Sequence, residues 1–481
     1  MISRRTLVRG TPMLVAAAAT AKATNAVAAA AAPARDALIA RTAERTFRYF
    51  WETTNAANGL APDRWPSAGF CSIAATGFAL TAYPIGVEQG WIGRSAALTR
   101  TLATLRFLWN APQGDAAEGV SGHKGFFYHF LDMTRGHRFG RSELSSVDTA
   151  LLMGGVLFAA RYFDRNTAAE REVRDLADRL YARIDWRWMQ ARAPLVCMGW
   201  HPERGFIPSD WKGYNEAMLV YVLGLGAPDP AHRLSADAWD AWCATYPHSW
   251  RGSGAGRHLA FGPHFGHQYS HGWIDFRGIR DAAMREAGFD YFENSRRATY
   301  AQRDYAIRNP MGWRGYSADI WGLTACDGPL GGTWQIAGAP RSFRTYSARG
   351  PLGLPDEFDD GTIAPTAALG SIAFAPEIVV PCARAMHARY GRLLYGRYGF
   401  LDSFNPSLAG ADAVGLRVEK GKVDLHLGWF DDEYLGIDQG PILTMIANHQ
   451  SALVWRHMRG HPAIRDGLTR AGFRGGWLGG A

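Results

Sequence analysis

Cysteine is scarce: the 481 residues hold five, at Cys71, Cys197, Cys243, Cys326 and Cys382, widely spaced. That excludes a disulfide framework and leaves at least one thiol unpaired within a monomer, with one or two bridges open in an oxidising compartment. Beyond the N-terminal segment there is no apolar run of about 18 residues, so no membrane span is expected. Neither a Ser/Pro tract nor a charge block interrupts the middle of the chain, which argues for a single domain over residues 30–481. No repeat of fixed length is found, which weighs against an open solenoid. A basic helix, zinc-finger spacing and Lys/Arg clusters interleaved with stacking residues are also missing, so nucleic acid is not an expected partner.

The charge balance carries little. There are 52 Lys and Arg against 44 Asp and Glu, a formal net charge of +8. Arg4, Arg5, Arg9 and Lys22 lie in an N-terminal stretch with the paired arginines of a twin-arginine export signal, Ser3-Arg4-Arg5-Thr6-Leu7-Val8-Arg9. An alanine-rich run follows, with small residues suited to cleavage near Val27-Ala28-Ala29, so residues 1–29 read as the signal. Removing it leaves about +4. An ordinary secretory signal is the alternative, and either route implies a periplasmic or secreted protein.

What is abundant is aromatic and helical. The chain has 18 Trp, 18 Tyr and 24 Phe, spread almost throughout, and its apolar residues recur at helical spacing. Helices are expected over Ala37–Thr53, Arg94–Trp109, Ser146–Phe163, Ala168–Ile184, Tyr214–Leu225, Phe276–Ala287, Asn294–Arg308, Thr362–Phe374, Pro376–Tyr390 and Gln439–Arg456. Val423–Leu427 reads as part of a loop hairpin. Helices with chemically rich segments at their entrances fit an all-α fold, a closed toroid of helical hairpins whose loops build a cleft at one mouth.

Acids framed by rings mark two of those entrances. Glu143 and Asp148 stand where a polar loop meets an apolar helix, and Trp211 and Tyr214 precede Glu216 at another. A pyranose lays its C–H face on an aromatic ring while its hydroxyls bond carboxylates and amides. Cleaving a glycosidic bond needs one acid on the leaving oxygen and a second carboxylate to activate water or attack. These segments therefore imply sugar chemistry.

Five stretches carry a resemblance: SELSSVDTALLMGGVLFAARYFD, GFIPSDWKGYNEAMLVYVLGLG, GPHFGHQYSHGWIDFRG, PDEFDDGTIAPTAALGSIAFAPE and GWFDDEYLGIDQGPILTMIANHQS. Together they resemble the bacterial glucoamylase-like family that includes endo-β-1,2-glucanases, over about Ala37 to Leu478. The resemblance implies an (α/α)6 barrel, a β-glucan substrate and hydrolysis with inversion. It also implies an essential glutamate in the WKGYNE-like segment, which is Glu216 here.

Each candidate has a structural alternative. Glu216 is also favoured by a helix dipole, with Asn215 as cap. Asp148 fits a capping box with Ser145, and Glu143 fits a surface ion pair with Arg141. Five residues turn a helix by roughly 140°, so Glu143 and Asp148 would not share a face if both were helical, which puts Glu143 in the loop. Glu216 and Glu143 are read as the catalytic pair, and Asp148 as their neighbour or a substrate ligand. Which one donates the proton depends on which is desolvated enough to stay protonated.

Trp429, Asp431, Asp432 and Glu433, with Asp438, form a second acidic segment that reads either as substrate contacts, including a general base, or as a solvated helix entrance. It lacks the spacing of a calcium loop. His264, His267 and His271 have metal-compatible spacing, but surrounding Gly and Pro favour a loop in which His264, Gln268 and Tyr269 bond sugar. Trp211, Lys212 and Tyr214 complete the expected binding set, with no cofactor and no metal. Asp359-Asp360-Gly361-Thr362 reads as a helix entrance.

The expectation is a monomeric glycoside hydrolase on β-1,2-glucan, endo-acting and inverting. Its rivals are an exo-acting or transglycosylating relative, a polysaccharide lyase with a Tyr or His base, and a non-catalytic periplasmic glucan-binding protein.

Overall fold

The computed structural model describes residues 36–481 other than 68, 355, 356, 480 and 481. The expected export signal lies outside the described residues. Ala37–Ala481 forms one compact unit.

The unit is mostly helical: α1 (Ala37–Thr53), α2 (Ile73–Glu88), α3 (Arg94–Asn110), α4 (Ser146–Tyr162), α5 (Ala168–Ala182), α6 (Met218–Gly226), α7 (Ala238–Cys243), α8 (Tyr269–Trp273), α9 (Ala282–Ala287), α10 (Tyr291–Arg308), α11 (Pro365–Leu369), α12 (Pro376–Leu394), α13 (Gly436–Ser451), α14 (Leu453–Met458) and α15 (Pro462–Arg470). Two kinds of helix are present. Striped helices bury one face: α1 buries Leu38, Ile39, Thr42, Ala43, Thr46, Phe47 and Phe50, and α5 buries Val173, Leu176, Ala177 and Leu180. Helices α2, α4, α6 and α13 are buried almost all round.

Packing follows from that division. Helix α2 lies between α4 and α13, α6 packs on α4 and α8, and α11 packs on α13. The striped helices lie against these: α1 on α2 and α13, and α15 on α6, while α3 packs on both α2 and α5. The α2–α4 contact is backbone-close. A Cβ on Gly155 would sit 1.9 Å from the Gly77 carbonyl oxygen, and one on Gly77 2.4 Å from that of Leu151. Only glycine permits this approach.

Short antiparallel strands staple the loops ahead of the buried helices. Cys71–Ser72 pairs with Phe130–Leu131 before α2. Leu144–Ser145 pairs with Gly199–His201 before α4, and Arg64–Trp65 pairs with Tyr434–Leu435 before α13. Each staple fixes an acid-bearing loop at a helix N-terminus.

Several boundaries differ from expectation. Helix α2 carries no amphipathic stripe to read, because 14 of its 16 residues are buried. Helix α6 starts at Met218 and α9 at Ala282, and Thr362–Phe374 holds only the short α11. The stretch Gln439–Arg456 is two helices, broken at Ala452, whose φ of 51° is left-handed. The hairpin around Val423 forms, with Lys422–Asp424 against Gly428–Phe430.

Candidate active site

Two acidic sets arise from the loops just described. In the first, His129 bridges two carboxylates: its Nδ1 is 2.8 Å from Glu143 Oε1 and its Nε2 is 3.5 Å from Asp148 Oδ1. Strand pairing places two of them, because His129 precedes Phe130 and Glu143 precedes Leu144, and Asp148 stands in the first turn of α4. Burial disfavours a charged His129, yet Asp148 and then Glu143 outweigh it and hold the imidazole at about 9. Burial alone would raise Glu143, but the His129 hydrogen bond and charge hold it at about 2. Asp148 is raised by its burial, with His129 opposing. Ser145 caps α4 by accepting from the Asp148 N–H, and its hydroxyl donates to Asp148 Oδ2 at 2.5 Å. The cap and the His129 contact use different atoms of Asp148, so the residue takes part in the cap of α4 and faces His129 at once.

The second set is Asp327, Asp402 and Asp431, each buried, with one oxygen of each within 4.8 Å of the others. Asp438 joins it through Asp402. The nearest cations, Arg64 and Lys420, both bond Asp327 Oδ2, at 2.7 and 3.0 Å. Burial, then the charge of Asp327, raises Asp402 to about 7. Burial and Asp402 push Asp431 and Asp438 well above the carboxylate range. Among the described residues, these two sets have the geometry to hold a metal. Arg64 also bonds Asp63, which acts electrostatically on both His129 and Asp327, so the sets are neighbours.

Glu216 lies just before α6 and is buried, and its carbonyl accepts from Ser270 Oγ at 2.8 Å. Asn215 Oδ1 accepts from the Ala217 N–H, as a cap would. Tyr269 lies within electrostatic reach of Asp438, Glu216 and Asp148 and joins the expected acids. Its ring stacks on Phe265 with centroids 4.9 Å apart.

Other expected contacts are packed differently from an open sugar platform. Trp211 is buried and its indole donates to Ser146 Oγ. Tyr214 is buried against His267 and Tyr291. His264 faces Thr299 Oγ1 at 3.2 Å, and burial lowers it to about 3. Gln268 donates to Ala367 O and Ser371 Oγ, tying the start of α8 to the α11 segment. Trp429 is buried with its indole on the Lys420 carbonyl. Glu433 accepts from the Ser67 N–H at 3.3 Å, while Lys212 and Asp432 are exposed. Asp359 and Asp360 are buried, the latter on Arg349 at 2.8 Å. All five cysteines are free thiols.

Sequence reasoning missed His129, Asp63, Arg64, Asp327 and Asp402. A signal was present for Asp402: in Phe400-Leu401-Asp402-Ser403-Phe404 an acid stands among bulky apolar residues with no helix to cap.

Comparison with known proteins adds the following. A sequence model of the Glycoamylase family, glucoamylase-like proteins, matches residues 208–462, more than half of the chain. An exo β-1,2-glucooligosaccharide sophorohydrolase (non-reducing end) from Parabacteroides distasonis is 26% identical over 452 residues, 89% of this chain and 56% of the relative. The chain thus spans little more than half the length of that curated relative. The crystal structure of a β-1,2-glucanase from Parabacteroides distasonis matches with 25% identity and a TM-score of 0.75, covering 90% of this chain and 60% of that one. An endo-β-1,2-glucanase from Chitinophaga pinensis, solved with sophorotriose and glucose, matches at 24% identity with a TM-score of 0.77, over 93% and 100%, and speaks for the fold. With that match over most of its second half, the chain belongs to the Glycoamylase family.

Proposed function

We propose that the chain is an exported, monomeric glycoside hydrolase that cleaves β-1,2-glucan internally with inversion, on an (α/α)6 toroid. The toroid is supported by the neighbour order of the buried helices, with α13 closing back on α2. The β-1,2 linkage is supported by the names of the relatives. One observation carries the chemistry: Glu143, 30% exposed, is held ionised by a protonated His129 beside a buried Asp148.

An ionised carboxylate is the form a general base needs. In this reading Glu143 takes a proton from water as its oxygen attacks the anomeric carbon. Glu216 gives a proton to the glycosidic oxygen as the C–O bond breaks. Asp148 holds His129, and His129 fixes Glu143. Glu216→Gln and Glu143→Gln should each lower kcat on linear β-1,2-glucan by about a thousandfold. A wild-type rate from either variant rejects the pair. Sizing early products separates a ladder, expected of endo action, from disaccharide alone.

A second reading has its own support. Asp402, near 7, is poised to hold a proton at neutral pH. If the Asp402 set supplies the acid, Asp402→Asn abolishes turnover and Glu216→Gln does not.

A further inference from the structure

We infer that Phe70 and Phe139 form an outer glycan platform, continuous with the acids, that grips glucosyl units beyond the cleaved bond. The inference rests on the hydrolase reading above. Phe139 is 41% exposed, an unusual setting for a phenyl ring. It stacks on Phe70 with centroids 4.7 Å apart and planes 23° apart. Phe70 meets the edge of Phe130 at 4.7 Å, and Phe130 stacks on His129 at 3.8 Å. His129 is the residue that bonds Glu143. A row of rings therefore climbs from the half-open acids to the surface.

The row is built rigidly. The Phe139 N–H donates to the Phe130 carbonyl, and Leu131 bridges Arg138. The Arg138 side chain, 1% exposed, bonds Glu203 and the Ser142 carbonyl and so pins the loop that presents Phe139. Fixed rings lose little freedom on binding, and a pyranose C–H face fits them. The unbroken row of rings down to His129 selects the occupant: outlying units of the same chain that reaches Glu143.

The test compares substrates of different length. For Phe139→Ala, and for Phe70→Ala with Phe139→Ala, kcat/KM on long β-1,2-glucan should fall about tenfold while the shortest cleaved oligosaccharide is processed as by wild type. Phe139→Trp should keep the polymer rate. Equal losses on both substrates, or none, overturn the platform. A readout without turnover guards against failure of the hydrolase reading. In gels cast with β-glucans, Glu216→Gln protein should be retarded and lose that retardation when Phe139→Ala is added. Retardation unchanged by Phe139→Ala overturns the platform whatever the enzyme cleaves. Retardation that persists while Phe139→Ala dissolves a dimer seen by sedimentation gives the surface to a second copy instead.

Discussion

Glu143 and Asp402 are both acids held in loops beside short strands, yet one is held at about 2 and the other at about 7. The difference lies in their company. Glu143 shares His129 with Asp148, and that histidine stays protonated to about 9, so charge is compensated within the set. Asp402 shares a buried space with Asp327, Asp431 and Asp438, where the two nearest cations both bond one oxygen of Asp327. Anions without a matching cation hold protons instead. The consequence for stability has opposite signs. Glu143, depressed, stabilises the fold above its unfolded value near 4.5, and that contribution is lost as pH falls toward 2. His129, raised, contributes fully below 6.5 and loses its contribution as pH rises through 9. Asp402 is a raised acid, so the folded state holds a proton that the unfolded state has released. Its cost grows from pH about 4 to about 7 and then stays.

Breaking the compensated set should do the most damage. His129→Ala leaves Glu143 and Asp148 facing each other with no cation, and should cost about 2–3 kcal/mol at pH 6 by urea unfolding. The loss should shrink at pH 10, where the wild-type imidazole is neutral. A loss of equal size at both pH values would mean that packing, not charge, explains it. Turnover should fall about a hundredfold with Glu143 no longer oriented. The uncompensated set should answer the other way. Asp402→Asn removes a charge that the fold resists, so it should be neutral at pH 4 and more stable than wild type by about 1–3 kcal/mol at pH 8. Melting curves across that range check it, and destabilisation at pH 8 would show that the Asp402 charge is already matched.

The same contrast explains what was legible in the sequence. Striped helices such as α1 are visible from one strand of text because solvent on one face imposes a period. Helix α2 faces protein on all sides, with Pro84 inside it, and its pattern is only apolar. Glu143, Asp148 and Glu216 were readable because each stands at a change from polar loop to apolar helix. His129, Asp327 and Asp402 stand at no such change. They meet the others through contacts between segments far apart in the chain: Phe404–Asn405 pairs with the strand Gly428–Phe430, and the Asp327 N–H donates to Asp402 Oδ2. Trp211 and Tyr214 adjoin Glu216 in sequence, but their rings pack the helix entrance. The exposed Phe139 ring and the half-buried Phe70 ring come from loops 69 residues apart in number and stack only after folding.

Lys420 gives the finest test of the comparison. Its side chain is 35% exposed and its ammonium bonds Asp327 Oδ2, an oxygen that Arg64 also holds from a more buried position. Because Arg64 remains, Lys420→Met should cost only about 0.5–1 kcal/mol at pH 8, and the Lys420 carbonyl that accepts from Trp429 stays in place. The loss should vanish near pH 4, where the set carries more protons, and shrink in high salt, which screens the half-open ammonium. In the Asp402→Asn background the same substitution should cost less, since one fewer anion needs the lysine. An undiminished loss in that double variant would place Lys420 outside the charge balance of the set and leave Arg64 as its sole cation.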